Sequence, residues 1–489
     1  MKKRLHKERI SLPALEKRRF LLVTNREPYS HNRDGDEIVC AIPVGGVTAA
    51  LDPVMQHLRG VWIAWGSGSA DAEVVDDSDV VEVPPDDPQY YLRRVWLTPA
   101  EVENFYLGYS NRSLWPLCHQ NFARLRFEKK FWDFYRRVNR KFASAAVESA
   151  GDEKAPIIWM HDYHLTLVPR MIHEKLPGAS LLFFWHIPWP DHETFHICPQ
   201  RTQILKSLLQ CRLLGFHTTR FCRHFLECVE AELKANVDHE NFTVDYRGNR
   251  TWVKPFPISI DFQAIEQKAA RTRTLKTAER IRRKYPLMAP KIGFGIDRMD
   301  YTKGIPNKLE AYKLFFEKYP AFLGKVTFVQ VCSPSRQKIP AYIELKRRAD
   351  QLAKELIEAF QTDRWTPLVY ITHKISDDML LAFYRMADVC VVASLQDGMN
   401  LVAKEFVASQ TEEKGLLLLS QFAGASEFIE DALPINPYDL DHFADTLHRA
   451  FTMPKKERAE SARKIRRKIA RYTIYDWIES FFEEAGKII

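Results

Sequence analysis

The chain predicts an α/β protein with two parallel sheets in two successive domains and a helical C-terminal segment. Three observations predict it. Short apolar runs are continuous rather than alternating, as in parallel strands buried on both faces. Amphipathic stretches of helical period separate those runs. The alternation occurs twice, in two series parted by Pro255 and Pro257. A length of 489 residues suits two or three domains.

The first series of expected strands is Phe20–Thr24, Val61–Trp65, Ile157–Met160, Leu181–Trp185 and Leu213–Phe216. The second is Ile292–Ile296, Val326–Val331, Leu368–Ile371, Val389–Val392 and Leu416–Leu419. Helical patterns cover Asn307–Lys318, Ile339–Phe360, Asp377–Ala387 and Leu401–Gln410. Pro454 breaks the second series, and helix-forming residues fill the rest. The expected domains are therefore two Rossmann-like units at 1–257 and 258–454, with a helical segment at 455–489 packing back on the first.

Composition excludes several classes. Hydrophobic residues are 46% and charged residues 27%, a globular rather than disordered balance. Eight cysteines are scattered with no CxxC pair, which fits a reduced, cytoplasmic chain and no zinc motif. No long apolar segment follows Met1, and the densest apolar runs are too short to span a bilayer. The net charge of +8 suits phosphorylated substrates. Basic residues cluster at Lys2–Arg9, at Lys17-Arg18-Arg19 and again from Lys455 to Arg471. A tail and a solvated helix face account for them better than nucleic-acid binding does.

In open α/β sheets, ligands bind beyond the carboxyl ends of the strands. Asn25-Arg26-Glu27-Pro28 follows the first strand, and Gly45-Gly46 lies in a later loop where backbone N–H groups can approach a phosphate or sugar. His161-Asp162-Tyr163-His164 and His186-Ile187-Pro188 follow two further strands. In the second half, Arg298 and Lys303 share one strand-end loop and could clamp a diphosphate, or else pair with Asp297 or Asp300. Ser333-Pro334-Ser335-Arg336 is another strand end with a cation. Asp397-Gly398-Met399-Asn400 enters a helix over Leu401, Val402, Ala403, Lys404 and Glu405, whose N-terminus attracts an anion. There is no GxxxxGK[ST] loop and no HExxH.

These blocks together resemble the trehalose-6-phosphate synthase family, retaining glycosyltransferases of the GT-B fold. They are Asn25-Arg26, Gly45-Gly46, Tyr106 through Trp115-Pro116, HDYHL at 161–165, HIPWP at 186–190 and LLGFHT at 213–218. DRMDYTKG at 297–304, SPSR at 333–336, WTPL at 365–368, DGMNLVAKE at 397–405, SQFAGAS at 420–426 and NPYD at 436–439 continue the series in family order. The resemblance implies two sheets facing across a deep cleft, with an acceptor-binding first domain and a nucleotide-sugar-binding second. It implies transfer of glucose from a nucleotide-glucose, UDP-glucose foremost, to glucose 6-phosphate with the anomeric configuration kept.

Carried over residue by residue, Arg26, Tyr106 and Arg336 would hold the acceptor phosphate. Asp162, Trp115 and Ile187 would form the acceptor sugar pocket. Gly45, Gly46, Arg298 and Lys303 would bind the donor diphosphate, with Leu401 through Lys404 at the helix start. Asp397 and His186 would hold donor hydroxyls, Glu405 the ribose, and Ile375 would lie near the base. Asp162, His186, Arg298, Lys303 and Asp397 would be the catalytic set. No cofactor and no metal are implied, nor any nucleic-acid or membrane partner. A homo-oligomer is allowed, and a separate phosphatase is expected downstream.

The sequence departs from the family pattern in two places. Gln396 stands where the family usually has Arg, and Glu27-Pro28-Tyr29 replaces Leu-Pro. Arg26-Glu27-Pro28-Tyr29 resembles glucosylglycerol-phosphate synthases, a sister group that uses glycerol 3-phosphate. A non-catalytic regulatory homologue is the alternative of another class; retention of Arg298, Lys303, Asp397 and Glu405 argues against it.

Overall fold

The structure is a computed structural model that describes residues 18–41, 46–286 and 288–489. Its residues fall into two compact units. One runs to Ile258 and takes in Tyr475–Ile489; the other is Ser259–Ile474. The helical segment expected over 455–489 is therefore divided: helix Lys455–Arg471 belongs to the second unit, and most of helix Ile474–Gly486 to the first.

Among the described residues, the first unit holds a ten-stranded sheet. Its parallel centre runs, in spatial order, Asn249–Pro255, Leu213–Phe216, Ser180–Phe184, Ile157–His161, Phe20–Arg26, Val61–Trp65 and Tyr90–Val95. The first five strands expected from apolar runs are all present, within two residues at each end. The edge strands went unread. Asn236–Asp238 and Thr243–Tyr246 on one side and Val80–Val83 on the other are antiparallel, and largely polar or half-exposed. Such strands carry no continuous apolar run to read.

Helix Ile474–Gly486 closes one face of this sheet. Trp159 stacks on Phe481 with ring centroids 4.8 Å apart, and Phe184 meets Trp477 edge-on at 5.0 Å. The Trp477 indole N–H donates to the Phe256 carbonyl at 3.2 Å, so these buried rings leave no polar atom of Trp477 unsatisfied. The densest aromatic strands of the chain thus find their cover at its far end.

The second unit has a six-stranded, wholly parallel sheet among its described residues. The order is Leu368–Ile371, Val326–Ser333, Lys291–Arg298, Val389–Val392, Leu416–Ser420 and Leu433–Ile435. Helices Ile305–Lys318, Pro340–Phe360, Asp377–Met386 and Leu401–Ser409 match the amphipathic stretches within two residues. The basic helix Lys455–Arg471 is tied into this unit. Arg458 donates to the carbonyls of Asp388, Lys414 and Ala450, and Arg466 to those of Val407 and Ala408 and to the Glu266 carboxylate. Several of its cations are thus spent on carbonyls and carboxylates of the same unit.

Among the parallel strands of each sheet the order reverses once, near the middle. The neighbours at the reversal are Phe20–Arg26 with Ile157–His161 in the first unit, and Lys291–Arg298 with Val389–Val392 in the second. Connections on either side of such a point leave in opposite directions, opening a crevice at the carboxyl ends.

Candidate active site

Each reversal carries its own cluster of chemical groups. In the first unit, Arg26 ends one strand and His161-Asp162 end the other. Arg26 is exposed, and its guanidinium donates to the Tyr106 hydroxyl at 2.8 Å. It lies over the rings of Trp65 and Tyr106, 5.4 and 4.9 Å from their centroids. The aromatic platform holds a cation ready for an anion while costing little rotamer freedom.

Tyr106 itself rides on Val102–Leu114, a 13-residue stretch wound as a π-helix. Its ring stacks on His164, and its carbonyl accepts from Asn111 Nδ2 at 2.7 Å. Wide winding of this kind is rare and tends to mark functional sites. Trp115, at the end of that stretch, is only 5% exposed, packed between His119 and Tyr163. Ile187 is likewise buried. Both side chains are therefore largely shielded from solvent.

Asp162 has φ 72° and ψ 166°, a backbone conformation costly for any side chain with a Cβ. The surrounding bonds impose it. Its N–H donates to the Phe184 carbonyl at 2.8 Å, and its carboxylate accepts from the His186 N–H at 3.2 Å. Asp162 therefore ties together two neighbouring strand ends. His186 Nε2 lies 2.9 Å from His161 Nδ1, and His217 Nε2 lies 3.1 Å from the His186 carbonyl. Burial holds both His161 and His186 far below the ordinary imidazole range, and the neighbouring histidines push His186 further. His186 is thus a neutral imidazole, suited to a hydroxyl rather than a phosphate.

The Glu27 departure has a structural account. Glu27 is buried in an ion pair with Arg94, and its Oε1 accepts from both the Ser67 N–H and the Ser67 hydroxyl at 2.9 Å. Arg94 also pairs with Asp71 at 2.9 Å. Glu27 braces the loop after Arg26 from within. Tyr29 is also turned inward, its hydroxyl donating to Asp52. Gly46 opens helix Gly46–Leu58, whereas Gly45 lies outside the described residues.

In the second unit, Asp300 and Asp397 organise the cations. Asp300 is fully buried and accepts from Arg336 at 3.0 Å; Arg298 lies 3.9 Å away and is half-exposed. Although burial alone would raise the Asp300 carboxyl, Arg336, Arg298 and Lys303 together hold it below the usual range. Lys303 pairs with Asp397 at 2.6 Å, and Asp397 also accepts from Ser394 Oγ at 3.1 Å and Asn400 Nδ2 at 3.0 Å. Asp297 is not part of this group; it pairs with the buried Lys308.

The loops approach closely enough to exclude side chains. A Cβ on Gly304 would stand 2.2 Å from the Ala393 carbonyl, and one on Gly424 would stand 2.0 Å from the Gly398 carbonyl. Gly304 also needs φ +63°. These two glycines seat the Lys303 and Asp397 loops. Asn400, at φ 79°, caps helix Leu401–Ser409 by accepting from the Ala403 N–H at 3.2 Å. The helix therefore starts beside Asp397, with Leu401, Val402, Ala403 and Lys404 in its first turn. Glu405 is half-buried and receives the Tyr384 hydroxyl at 3.2 Å; burial raises its carboxyl. Ile375 lies in the loop before helix Asp377–Met386, and Gln396 is half-buried next to Asp397.

Sequence reasoning quoted His161, His217, Asp300 and Asn400 within its motifs without giving them a place in the site, and it missed Ser394 and Tyr384. The first four lie inside or beside the strand-end motifs, but only contacts separate them from their neighbours. Tyr384 sits mid-helix in an apolar stretch, with no local signal of its bond to Glu405.

A family model described as glycosyltransferase family 20 matches residues 18–487. The α,α-trehalose-phosphate synthase (UDP-forming) of Schizosaccharomyces pombe is 33% identical over 484 residues, covering 97% of this chain and 92% of that protein. The structure of an Escherichia coli protein bound with UDP-2-fluoro glucose has TM-score 0.86 and 30% identity, covering 96% of this chain and 99% of that one. A Burkholderia xenovorans α,α-trehalose-phosphate synthase (UDP-forming), in complex with glucose-6-phosphate, has TM-score 0.85 and 27% identity, covering 96% and 99%. The two parallel α/β units are those of the GT-B fold. With the match running through nearly every described element, the chain belongs to glycosyltransferase family 20.

Proposed function

We propose that this enzyme moves glucose from UDP-glucose to glucose 6-phosphate, retaining the anomeric configuration and forming α,α-trehalose 6-phosphate and UDP. The observation that carries the donor half is Lys303 and Arg298 set at the reversal of the second sheet, beside a capped helix N-terminus. The relatives named UDP-forming support the choice of nucleotide.

The sugar–phosphate bond breaks with its electron pair leaving to the diphosphate. Arg298 and Lys303 offset the growing negative charge, and the N–H groups of the first helical turn add a fixed positive pole. Asp397 accepts from the donor glucose hydroxyls, held in place by Ser394 and Asn400. Neutral His186 bonds the 6-hydroxyl, and Glu405 the ribose. The acceptor hydroxyl attacks the anomeric carbon on the face that the diphosphate leaves. Its proton passes to a departing phosphate oxygen, so no protein nucleophile is needed.

Arg26 and Arg336 grip the acceptor phosphate, Arg26 steadied by Tyr106. Arg336 must share its guanidinium between that phosphate and Asp300. Asp162 accepts from the acceptor hydroxyls. Glucose 6-phosphate is preferred to glycerol 3-phosphate because Glu27 and Tyr29, which carry the sister-group signal, are turned inward on Arg94 and Asp52. The product keeps its phosphate, so a phosphomonoesterase acts next. Seven of the eight free cysteines are buried, in keeping with a cytoplasmic setting. Among the described residues no helix is long and apolar enough to cross a membrane.

The test is to incubate the enzyme with both substrates and identify the product by NMR. An α,α-linked, phosphorylated disaccharide formed in step with UDP is expected. UDP release without glycoside formation, or no turnover at all, would overturn the proposal.

A further inference from the structure

Away from the reversal of the first sheet, His192, His196 and Glu232 converge. Among the described residues they are the group whose His, Cys, Asp or Glu ligand atoms all lie close together, within 4.8 Å of one another. The two histidines stand four apart on helix His192–His196, hence on one face. Asp191 fixes that helix by accepting from the Thr194 N–H at 2.8 Å. Glu232 comes from another element, the last turn of helix Thr219–Leu233.

We propose that these three residues form a binding site for one divalent transition-metal ion, zinc foremost. His192 Nε2 lies 3.2 Å from Glu232 Oε1. Ligand bonds of about 2.0–2.1 Å at a tetrahedral ion place neighbouring ligand atoms roughly 3.3 Å apart. That edge already exists. His196 Nδ1, 2.5 Å from the same oxygen, has to withdraw by under an ångström. Its side chain is 57% exposed and free to do so, whereas Glu232 is 7% exposed and fixed.

The surroundings suit a metal ligand set. Arg201 Nε donates to the other Glu232 oxygen at 2.7 Å, leaving Oε1 to bind through one oxygen. The other ring nitrogen of His192 lies 3.8 Å from the exposed Glu193 carboxylate, a longer contact than a hydrogen bond. Two imidazoles and one carboxylate select zinc, cobalt, nickel or copper over magnesium or calcium. The exposed side of His196 gives the ion an entry path and a place for water in the fourth position.

Two of the three ligands lie two and six residues beyond Pro190. A bound ion would therefore staple this segment to helix Thr219–Leu233. Arg201 opposes the incoming charge, so micromolar rather than tighter affinity is expected.

The test uses the whole chain, stripped with EDTA and then titrated with Zn²⁺ by calorimetry and with Co²⁺ by visible absorption. One ion per chain, a tetrahedral Co²⁺ spectrum and a Tm raised by Zn²⁺ are expected. His196→Ala, which removes an exposed side chain, should weaken uptake at least tenfold and abolish both the spectrum and the Tm rise. Absence of stoichiometric uptake by the unaltered chain would overturn the proposal. So would uptake unchanged in His196→Ala, which would place the ion on the cysteines or elsewhere.

Discussion

Replacing Lys303 by Ala tests the donor half most sharply. Lys303 Nζ pairs with Asp397 at 2.6 Å, and both side chains are 13% exposed. The substitution removes the cation from a largely desolvated position, while Ser394 and Asn400 still donate to Asp397. A charge-assisted hydrogen bond to the leaving diphosphate contributes roughly 1.5–3 kcal/mol. At about 1.4 kcal/mol per decade, kcat/KM should fall about ten- to a hundredfold. The fall should appear in kcat as much as in KM, because the charge on the diphosphate grows in the transition state. Initial rates of UDP release at varied donor concentration read it. Circular dichroism confirms folding, and Asp397→Asn alone and combined with Lys303→Ala closes a double-mutant cycle. A folded Lys303→Ala protein within twofold of the parent kcat/KM would refute the assignment and leave Lys303 as a structural partner of Asp397.

Three further outcomes are expected. Tyr384→Phe removes the hydrogen bond that favours the Glu405 carboxylate; the carboxyl then protonates at higher pH, so the acid-side rise in donor KM should shift upward, and an unmoved limb would contradict Glu405 as the ribose acceptor. Burial pulls Lys404 from 10.5 down to about 7. Between those values the folded chain holds fewer protons than the unfolded one, so stability rises with pH across that window and the burial cost is fully present below it. Lys404→Met should raise Tm near pH 7, with a gain that shrinks towards pH 10.5; an equal gain at both ends would mean that charge burial is not the cause. Turnover should survive EDTA if Arg298 and Lys303 supply the positive charge at the donor diphosphate, as proposed; complete loss restored by Mg²⁺ would contradict this.

How much the sequence disclosed follows from what each signal depends on. Strands buried on both faces leave continuous apolar runs, so all ten expected strands are found near their bounds. Half-exposed edge strands such as Thr243–Tyr246 leave none. Helix Lys129–Ala150 was also unread: its inward face carries Phe131, Tyr135 and Phe142, but charged residues fill the turns between. Strand-end residues were legible because the fold class says where ligands bind; Arg26, Asp162, Lys303 and Asp397 all lie there. Their partners were not. Nothing local says that Lys303 pairs with Asp397 rather than Asp300, or that Glu27 turns inward to Arg94. Such choices depend on which loops the packed sheet brings together, as at Gly304 and Gly424.

The acceptor is where the central claim is most exposed. Under the proposed function a phosphate held by Arg26 would not distinguish glucose 6-phosphate from glycerol 3-phosphate, so the choice would fall to Tyr106 and Asp162. An aromatic surface and a carboxylate fixed between two strand ends suit a pyranose with its ring of hydroxyls. A three-carbon acceptor would leave much of that surface uncovered. The direct measurement is kcat/KM for the two acceptors with UDP-glucose as common donor. A higher value for glucose 6-phosphate is predicted; a higher value for glycerol 3-phosphate would contradict the account and return the signal at Arg26-Glu27-Pro28-Tyr29 to the acceptor.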